Sequence, residues 1–313
     1  MNNLKPSLFL AVFLAALSAY LYFVELPGKK EKEKKEEAAS KLFTFLESDI
    51  AEIVISSAET ESVVRLQQVS GNPDTPWRIS EPIETIADEG VAGMFASLLA
   101  NLKFTQKVDA HPSDFASFGL NPPAHTIRVI LGGSDSDLLE VGNSGLSSET
   151  RYVKVGNAVY LIGNDLAPYF TKGVREWRRQ ELFHFYSSDV QSFEIEGHQE
   201  TIALTKEGEK WAIKTPTAEK ADASRVLEFL GRLSSVRGES FIDENKAEQI
   251  VALGDSFARV KITLGAISHE GKFYTRQGEP EAIYVVTMPN APLYKISLKS
   301  FQEISPALSY FKP

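Results

Sequence analysis

Residues 77–104 read WRISEPIETIADEGVAGMFASLLANLKF, and residues 211–238 read WAIKTPTAEKADASRVLEFLGRLSSVRG. At a constant offset of 134 residues they match at Trp77 and Trp211, Ile79 and Ile213, Pro82 and Pro216, Ala87-Asp88 and Ala221-Asp222, Phe95 and Phe229, and Leu99 and Leu233. The chain has only three tryptophans, so one pair in register is informative. Self-similarity at a fixed period is the signature of a duplicated structural unit. Each copy has the same grammar. A strand carries the Trp and stops at the Pro, which has no N–H for an interior ladder. Asp88 or Asp222 then stands at an N-cap, where a carboxylate accepts orphan helix N–H groups. A helix follows with Val91, Phe95, Leu98, Leu99 and Leu102 on one face, or Val226, Phe229, Leu230, Leu233 and Val236.

The similarity extends outward with small shifts. Asp49-Ile50-x-x-Ile53-x-Ile55 resembles Asp189-Val190-x-x-Phe193-x-Ile195. Ile127-x-Val129-x-Leu131-Gly132 resembles Val260-x-Ile262-x-Leu264-Gly265, and Val159-Tyr160-x-Ile162 resembles Leu293-Tyr294-x-Ile296. Alternating apolar residues open each copy with a strand, at Ile53 and Ile55 and at Phe193 and Ile195, and further strands are predicted at 63–69, 126–131, 137–141, 151–155 and 158–162, then at 201–206, 258–264, 272–276, 282–287 and 293–297. Many strands with one main helix per copy predict an α+β fold: two tandem repeats, 45–182 and 183–313, of a mostly antiparallel sheet, each covered by one main amphipathic helix.

Before the repeats, Ser7 to Leu26 read SLFLAVFLAALSAYLYFVEL, with Glu25 as the one charge. About 20 residues at 1.5 Å rise span a bilayer's hydrocarbon core of about 30 Å. Pro6 suits a first helical turn, Pro27-Gly28 a stop, and Tyr20, Tyr22 and Phe23 an interfacial belt. The expectation is a transmembrane anchor over 1–28. A cleaved signal peptide is the competing reading, with Ala16-Leu17-Ser18 as small residues at the cleavage spacing. The apolar run continues past that point through Leu21 and Val24, which favours the anchor. Residues 29–44 begin KKEKEKKEEAASK, strong helix formers with Glu31 and Lys35 in the favourable i,i+4 order. They read as a charged helical stalk, because the interleaved glutamates nearly cancel a lysine patch for anionic lipid. Counted naively, Lys29 to Lys35 against Lys5 would put the C-terminal part in the cytoplasm, but long domains translocate largely regardless of flanking charge.

The 313-residue chain has a net charge of −9 and no cysteine. The first makes it a poor binder of nucleic acid, which needs a basic face. The second excludes disulfides, Cys-ligated zinc, iron–sulfur clusters and thiol nucleophiles. The five histidines, His111, His125, His184, His198 and His269, show no metal-ligand spacing. No metal and no cofactor is expected. Gly254-Asp255-Ser256 resembles the start of a GDSL-type esterase motif but lacks an Asp-x-x-His partner near the C-terminus. Asp135 and Asp137 lack the further oxygen ligands of a calcium loop, and Gly132-Gly133 lacks the rest of a phosphate-binding loop. The chain therefore does not read as an enzyme. Trp77 and Trp211 read as core anchors rather than sugar-stacking platforms. Trp177, in Val174-Arg175-Glu176-Trp177-Arg178-Arg179, has no counterpart that aligns. With Arg175, Arg178 and Arg179 it reads as a brace between the copies or a partner surface.

Trp-x-Ile-x-x-Pro, Ala-Asp, an amphipathic helix, Phe118-Gly119-Leu120-Asn121-Pro122-Pro123, Val141-Gly142 and Arg151-Tyr152-Val153 together resemble the bacterial domain-of-unknown-function family 4340. The resemblance covers essentially everything after the stalk and carries no catalytic residues. It implies one N-terminal membrane helix, an extracytoplasmic domain at the inner membrane, and partnership with ABC-type transporter components of the gliding-motility auxiliary type. The second copy has Ala252-Leu253-Gly254-Asp255 where the first has Gly119-Leu120-Asn121-Pro122. On this footing the expected function is a non-catalytic accessory or scaffold subunit of such a transport complex. The alternative is a glycan- or peptide-binding ectodomain with its site between the repeats.

Overall fold

The computed structural model of the protein describes Tyr22 and residues 38–69, 76–133, 136–197, 200–287 and 291–313. The expected anchor at 7–26, apart from Tyr22, lies outside the described residues, as do the stalk up to residue 37, Asp135 and His198. Among the described residues no helix is long and apolar enough to cross a membrane.

The first sheet contains β1 (Ile50–Ser57), β2 (Ser62–Gln68), β3 (Trp77–Glu81), β4 (Thr85–Ile86), β5 (Phe104–Asp109), β6 (His125–Leu131), β7 (Ser136–Ser144), β8 (Thr150–Val155) and β9 (Ala158–Gly163). Its order is β4-β3-β2-β1-β6-β7-β8-β9-β5. The second contains β10 (Ser192–Glu196), β11 (Thr201–Glu207), β12 (Lys210–Thr215), β13 (Glu219–Lys220), β14 (Ser240–Ile242), β15 (Ala258–Leu264), β16 (Ile267–Tyr274), β17 (Ala282–Val286) and β18 (Leu293–Ser297). Its order, β13-β12-β11-β10-β15-β16-β17-β18-β14, repeats the first strand for strand. Two antiparallel nine-stranded sheets with a few helices are thus two copies of one topology. The helices are α1 (Glu89–Ala100), α2 (Ala167–Phe170), α3 (Val174–Trp177), α4 (Ala223–Ser235), α5 (Lys246–Leu253) and α6 (Leu298–Glu303). By compactness the chain divides into Met1–Gln68 with Gly90–Gly173, and Val69–Glu89 with Val174–Pro313.

In the first unit one sheet face is apolar because successive strand residues point to opposite faces. Ile53 is opposite Leu66 and Val129, and Ile55 is opposite Val64 and Ile127. All are buried, while the facing-out Glu52 pairs with Arg65 at 3.0 Å. The α1 helix buries Ala92, Phe95, Ala96, Leu99 and Ala100. Val91 and Leu98, expected on its inner face, are only half-buried, since small residues at 92 and 96 turn the buried stripe.

The second unit has two cores. Val226, Phe229, Leu230 and Leu233 of α4 join Phe193, Trp211, Ile213, Ile262 and Phe273 on one sheet face. Phe193 stands 5.1 Å from Phe229 and 5.8 Å from Trp211, centroid to centroid. Such aromatic pairs add about 0.5–1.5 kcal/mol beyond the area they bury. On the opposite face Tyr274, Ala282, Tyr284 and Leu293 form a smaller core with Ile250 and Leu253 of α5. Residues 282–285 are therefore buried on both faces. The expectation of one covering helix per copy omits α5, which covers the far face at this corner.

Both prolines of the repeat follow cis peptide bonds, Glu81-Pro82 and Thr215-Pro216, and both are exposed. Asp222 caps α4, accepting from the N–H groups of Ser224 at 2.9 Å and Arg225 at 3.2 Å.

Candidate functional site

The repeat extends further than its opening match. The Asp222 N–H donates to the Phe311 carbonyl at 2.9 Å, and the Asp88 N–H donates to the Trp177 carbonyl at 2.8 Å. Trp177 therefore has a counterpart after all, Phe311, at the same offset of 134, and both rings are fully buried. The equivalence escapes the sequence because the ring type changes and a four-residue helical turn has no periodicity. Likewise the Leu42 N–H donates to Leu102 and the Leu182 N–H to Val236, both onto the segment after the main helix. Leu42-Phe43-x-Phe45 corresponds to Leu182-Phe183-x-Phe185, a pairing readable in the sequence at an offset of 140.

Arg178 follows Trp177 and is only 3% exposed. Its guanidinium donates to Asp243 through Nη1 at 2.9 Å and Nη2 at 2.8 Å, a two-pronged carboxylate contact. Nη2 also donates to the Thr85 hydroxyl at 2.9 Å. The guanidinium carbon lies 4.4 Å from the centroid of the Phe241 ring. The fork geometry and the aromatic face are what Arg, rather than Lys, can use. Arg179 is 6% exposed, and its N–H donates to the Ile86 carbonyl at 3.0 Å. The expected partner surface needs correction: of its four residues only Arg175 is exposed, while Trp177, Arg178 and Arg179 are buried. Here the basic-aromatic stretch ties the 85–88 and 241–243 segments together inside the second unit.

A cleft of about 410 Å³ adjoins this cluster, lined by Ile83, Glu84, Asp243, Glu244, Lys246 and Ala291. The Lys246 ammonium donates to the Ala291 carbonyl. Burial pulls its pKa below the usual lysine value, against the opposing pull of Asp243. Glu84 on the rim pairs with Arg78 at 3.0 Å. Tyr294, 3% exposed with its ring 5.7 Å from that of Phe241, is pushed up to about 12, chiefly by burial, so its phenol stays protonated at physiological pH. The lining offers charge, one backbone carbonyl and apolar surface, and no hydroxyl or imidazole.

The remaining sequence-marked residues are architectural. Trp77 and Trp211 are 4% and 5% exposed, and Phe95 and Phe229 fully buried. The Phe118-Gly119-Leu120 turn lies against β7. Gly119 has φ 68°, and a Cβ there would meet the Asn143 side chain at 2.3 Å, while a Cβ on Gly142 would meet the Phe118 carbonyl at 2.3 Å. The two glycines allow that close approach. Arg151 donates to the Gly142 carbonyl at 2.9 Å. In the second copy Gly254 ends α5 with φ 76° and ψ −139°, a conformation unlike the left-handed Gly119 at φ 68° and ψ 27°, so the turn is not reproduced there. Of the histidines, His111 and His184 are exposed, His269 half-buried and His125 buried. Among the described residues no group of three or more His, Asp or Glu is placed to hold a metal ion.

No curated protein and no solved structure matches the chain. The family model described as "Domain of unknown function (DUF4340)" matches residues 77–252, from the first repeat's tryptophan to the end of α5 and more than half of the chain. The chain therefore belongs to the DUF4340 family.

Proposed function

We propose that this protein is a non-catalytic, membrane-anchored accessory or scaffold subunit of an ABC-type transport complex, held in the inner membrane by a helix over residues 7–26 and acting through its extracytoplasmic duplicated domain. The observation that carries the reading is that the two cations beside the cleft are already engaged within the protein. Arg178 holds Asp243 and Thr85, and Lys246 holds the Ala291 carbonyl. Such a cluster stiffens a fold without leaving a poised acid, base or nucleophile. Two copies of one sheet provide broad rigid surface, which suits docking. The apolar run at 7–26 supports the anchor, and the resemblance of the repeat motifs to the family motivates the proposed association with transporter components. Affinity purification of the full chain in mild detergent should recover it with membrane-embedded transporter subunits. Recovery as a free species only, at native expression level, counts against the reading. Protease accessibility in intact cells decides orientation, with digestion of 38–313 from outside expected.

The cleft favours a second reading, a ligand-binding ectodomain, because it brings three carboxylates beside an apolar wall. Hydrogen exchange at 243–246 of the full chain, measured with and without peptide and glycan pools, tests it. Unchanged exchange with every pool removes it.

A further inference from the structure

At the end of the buried face of the first sheet, Ser57 on β1 stands directly opposite His125 on β6. Both are 6% exposed. The Ser57 hydroxyl and the His125 Nδ1 are buried without a hydrogen-bond partner. Orphaned buried polar atoms are rare and call for a physical reason. The His125 ring stacks on Phe170 with centroids 4.7 Å apart and planes at 13°. Phe170 ends α2, whose turn also seats Leu166 at 1% and Tyr169 at 8% exposure. Tyr169 in turn packs on Phe95 of α1, 4.7 Å between centroids. One imidazole thus lies under the short helix that closes this end of the core.

We infer that His125 couples the seating of α2 on the first sheet to pH, holding the helix while the ring is neutral and loosening it when the ring takes a proton. A neutral imidazole stacked on Phe170 behaves as an aromatic. An imidazolium needs an acceptor at both nitrogens, and Nδ1 faces none. The charged groups acting on the ring are Glu59, beyond the end of β1, and Arg151 on β8. They oppose each other. β7 presents Val141 opposite the ring and α2 presents Phe170, neither able to accept a proton's charge. Attraction between a cation and the Phe170 face returns less than an uncompensated buried charge costs. Burial is accordingly the main cause that lowers the His125 pKa from its ordinary 6.5. The sign follows. The folded unit binds fewer protons than the unfolded one, so stability is complete above pH 6.5 and declines as pH falls toward the lower folded value. Loosening α2 would expose Leu166, Tyr169 and Phe170, an apolar surface available only in acid.

The test uses the full chain in detergent micelles. Imidazole resonances titrated between pH 8 and 4.5 should place His125 below 6.5. Hydrogen exchange of the 166–171 segment, corrected for intrinsic rate, should accelerate by up to about tenfold per pH unit below 6.5. His125→Gln should remove that acid response and His111→Gln should leave it. A His125 pKa at or above 6.5, unchanged protection at pH 5, or an acid response retained in His125→Gln each overturns the inference. If His125→Gln does not fold, the wild-type titration and exchange still decide.

Discussion

Replacing Asp243 by alanine should leave the Arg178 guanidinium charged and without its carboxylate in a site that is 3% exposed. Breaking a buried ion pair by removing one partner costs about 3–5 kcal/mol, mostly from stranding the other charge. Two features reduce that figure. The Asp243 side chain is 28% exposed, so water reaches its side of the pair. Thr85 and the Phe241 face stay in place to solvate the cation. An expected cost for Asp243→Ala is therefore about 2–4 kcal/mol. Arg178→Met should cost less, about 1–2 kcal/mol, because the apolar stem packing survives and the freed carboxylate can turn to water. The asymmetry is the distinctive expectation. The double variant should cost less than the sum of the singles by about 1.5–3 kcal/mol.

The assay is equilibrium urea unfolding followed by tryptophan fluorescence. Trp77, Trp177 and Trp211 all lie in the second compact unit, so the signal reports the unit that holds the pair. Midpoints should move with the slope unchanged, as a loss of stability without a change in exposed surface requires. An Asp243→Ala cost below about 1 kcal/mol, or strictly additive single costs, would refute the reasoning and return Arg178 to the role of a solvated surface charge.

Three further outcomes follow from packing in the second unit and are read by the same unfolding assay. Phe229→Ala removes a fully buried ring that touches Phe193 and Phe311, and should cost about 3–5 kcal/mol, with a smaller loss refuting a tightly packed core there. Asp222→Ala removes a cap with two backbone donors and should cost about 1 kcal/mol, most of it restored by Asp222→Asn. Gly271→Ala places a Cβ 2.5 Å from the buried Phe183 ring and should cost about 1–3 kcal/mol, whereas Gly231→Ala, with open space around its Cβ, should not destabilise.

How far the fold is legible depends on how local its causes are. Trp77 to Phe104 and Trp211 to Gly238 align without a gap because a strand, a Pro stop, a cap and a helix follow one another in regular order, each leaving its own periodicity or breaker. Residues 282–285 leave no alternation, since Ile283 and Val285 serve the α4 core while Ala282 and Tyr284 serve the α5 core. The same second core accounts for α5, whose Ile250 and Leu253 face a surface that a one-helix reading does not supply. Two-residue strands such as β4 and β13 carry too few side chains for any pattern.

Arg178 shows why the candidate site is less legible than the fold. A run of Arg, Glu and Trp reads as surface, since Arg is almost never fully buried unless paired. The pairing residue is Asp243, 65 positions away, and the supporting hydroxyl is Thr85, 93 positions in the other direction. No window of local sequence contains both. The duplication offers the missing comparison: Lys312, at the position equivalent to Arg178, pairs with Glu219 at 3.0 Å in a half-exposed contact. The same place in one topology thus holds a buried fork in the first copy and a solvated pair in the second. The buried fork is therefore not among the features the copies share, and a functional difference between the copies should concentrate at Thr85, Arg178 and Asp243 rather than at the tryptophans, prolines and caps common to both.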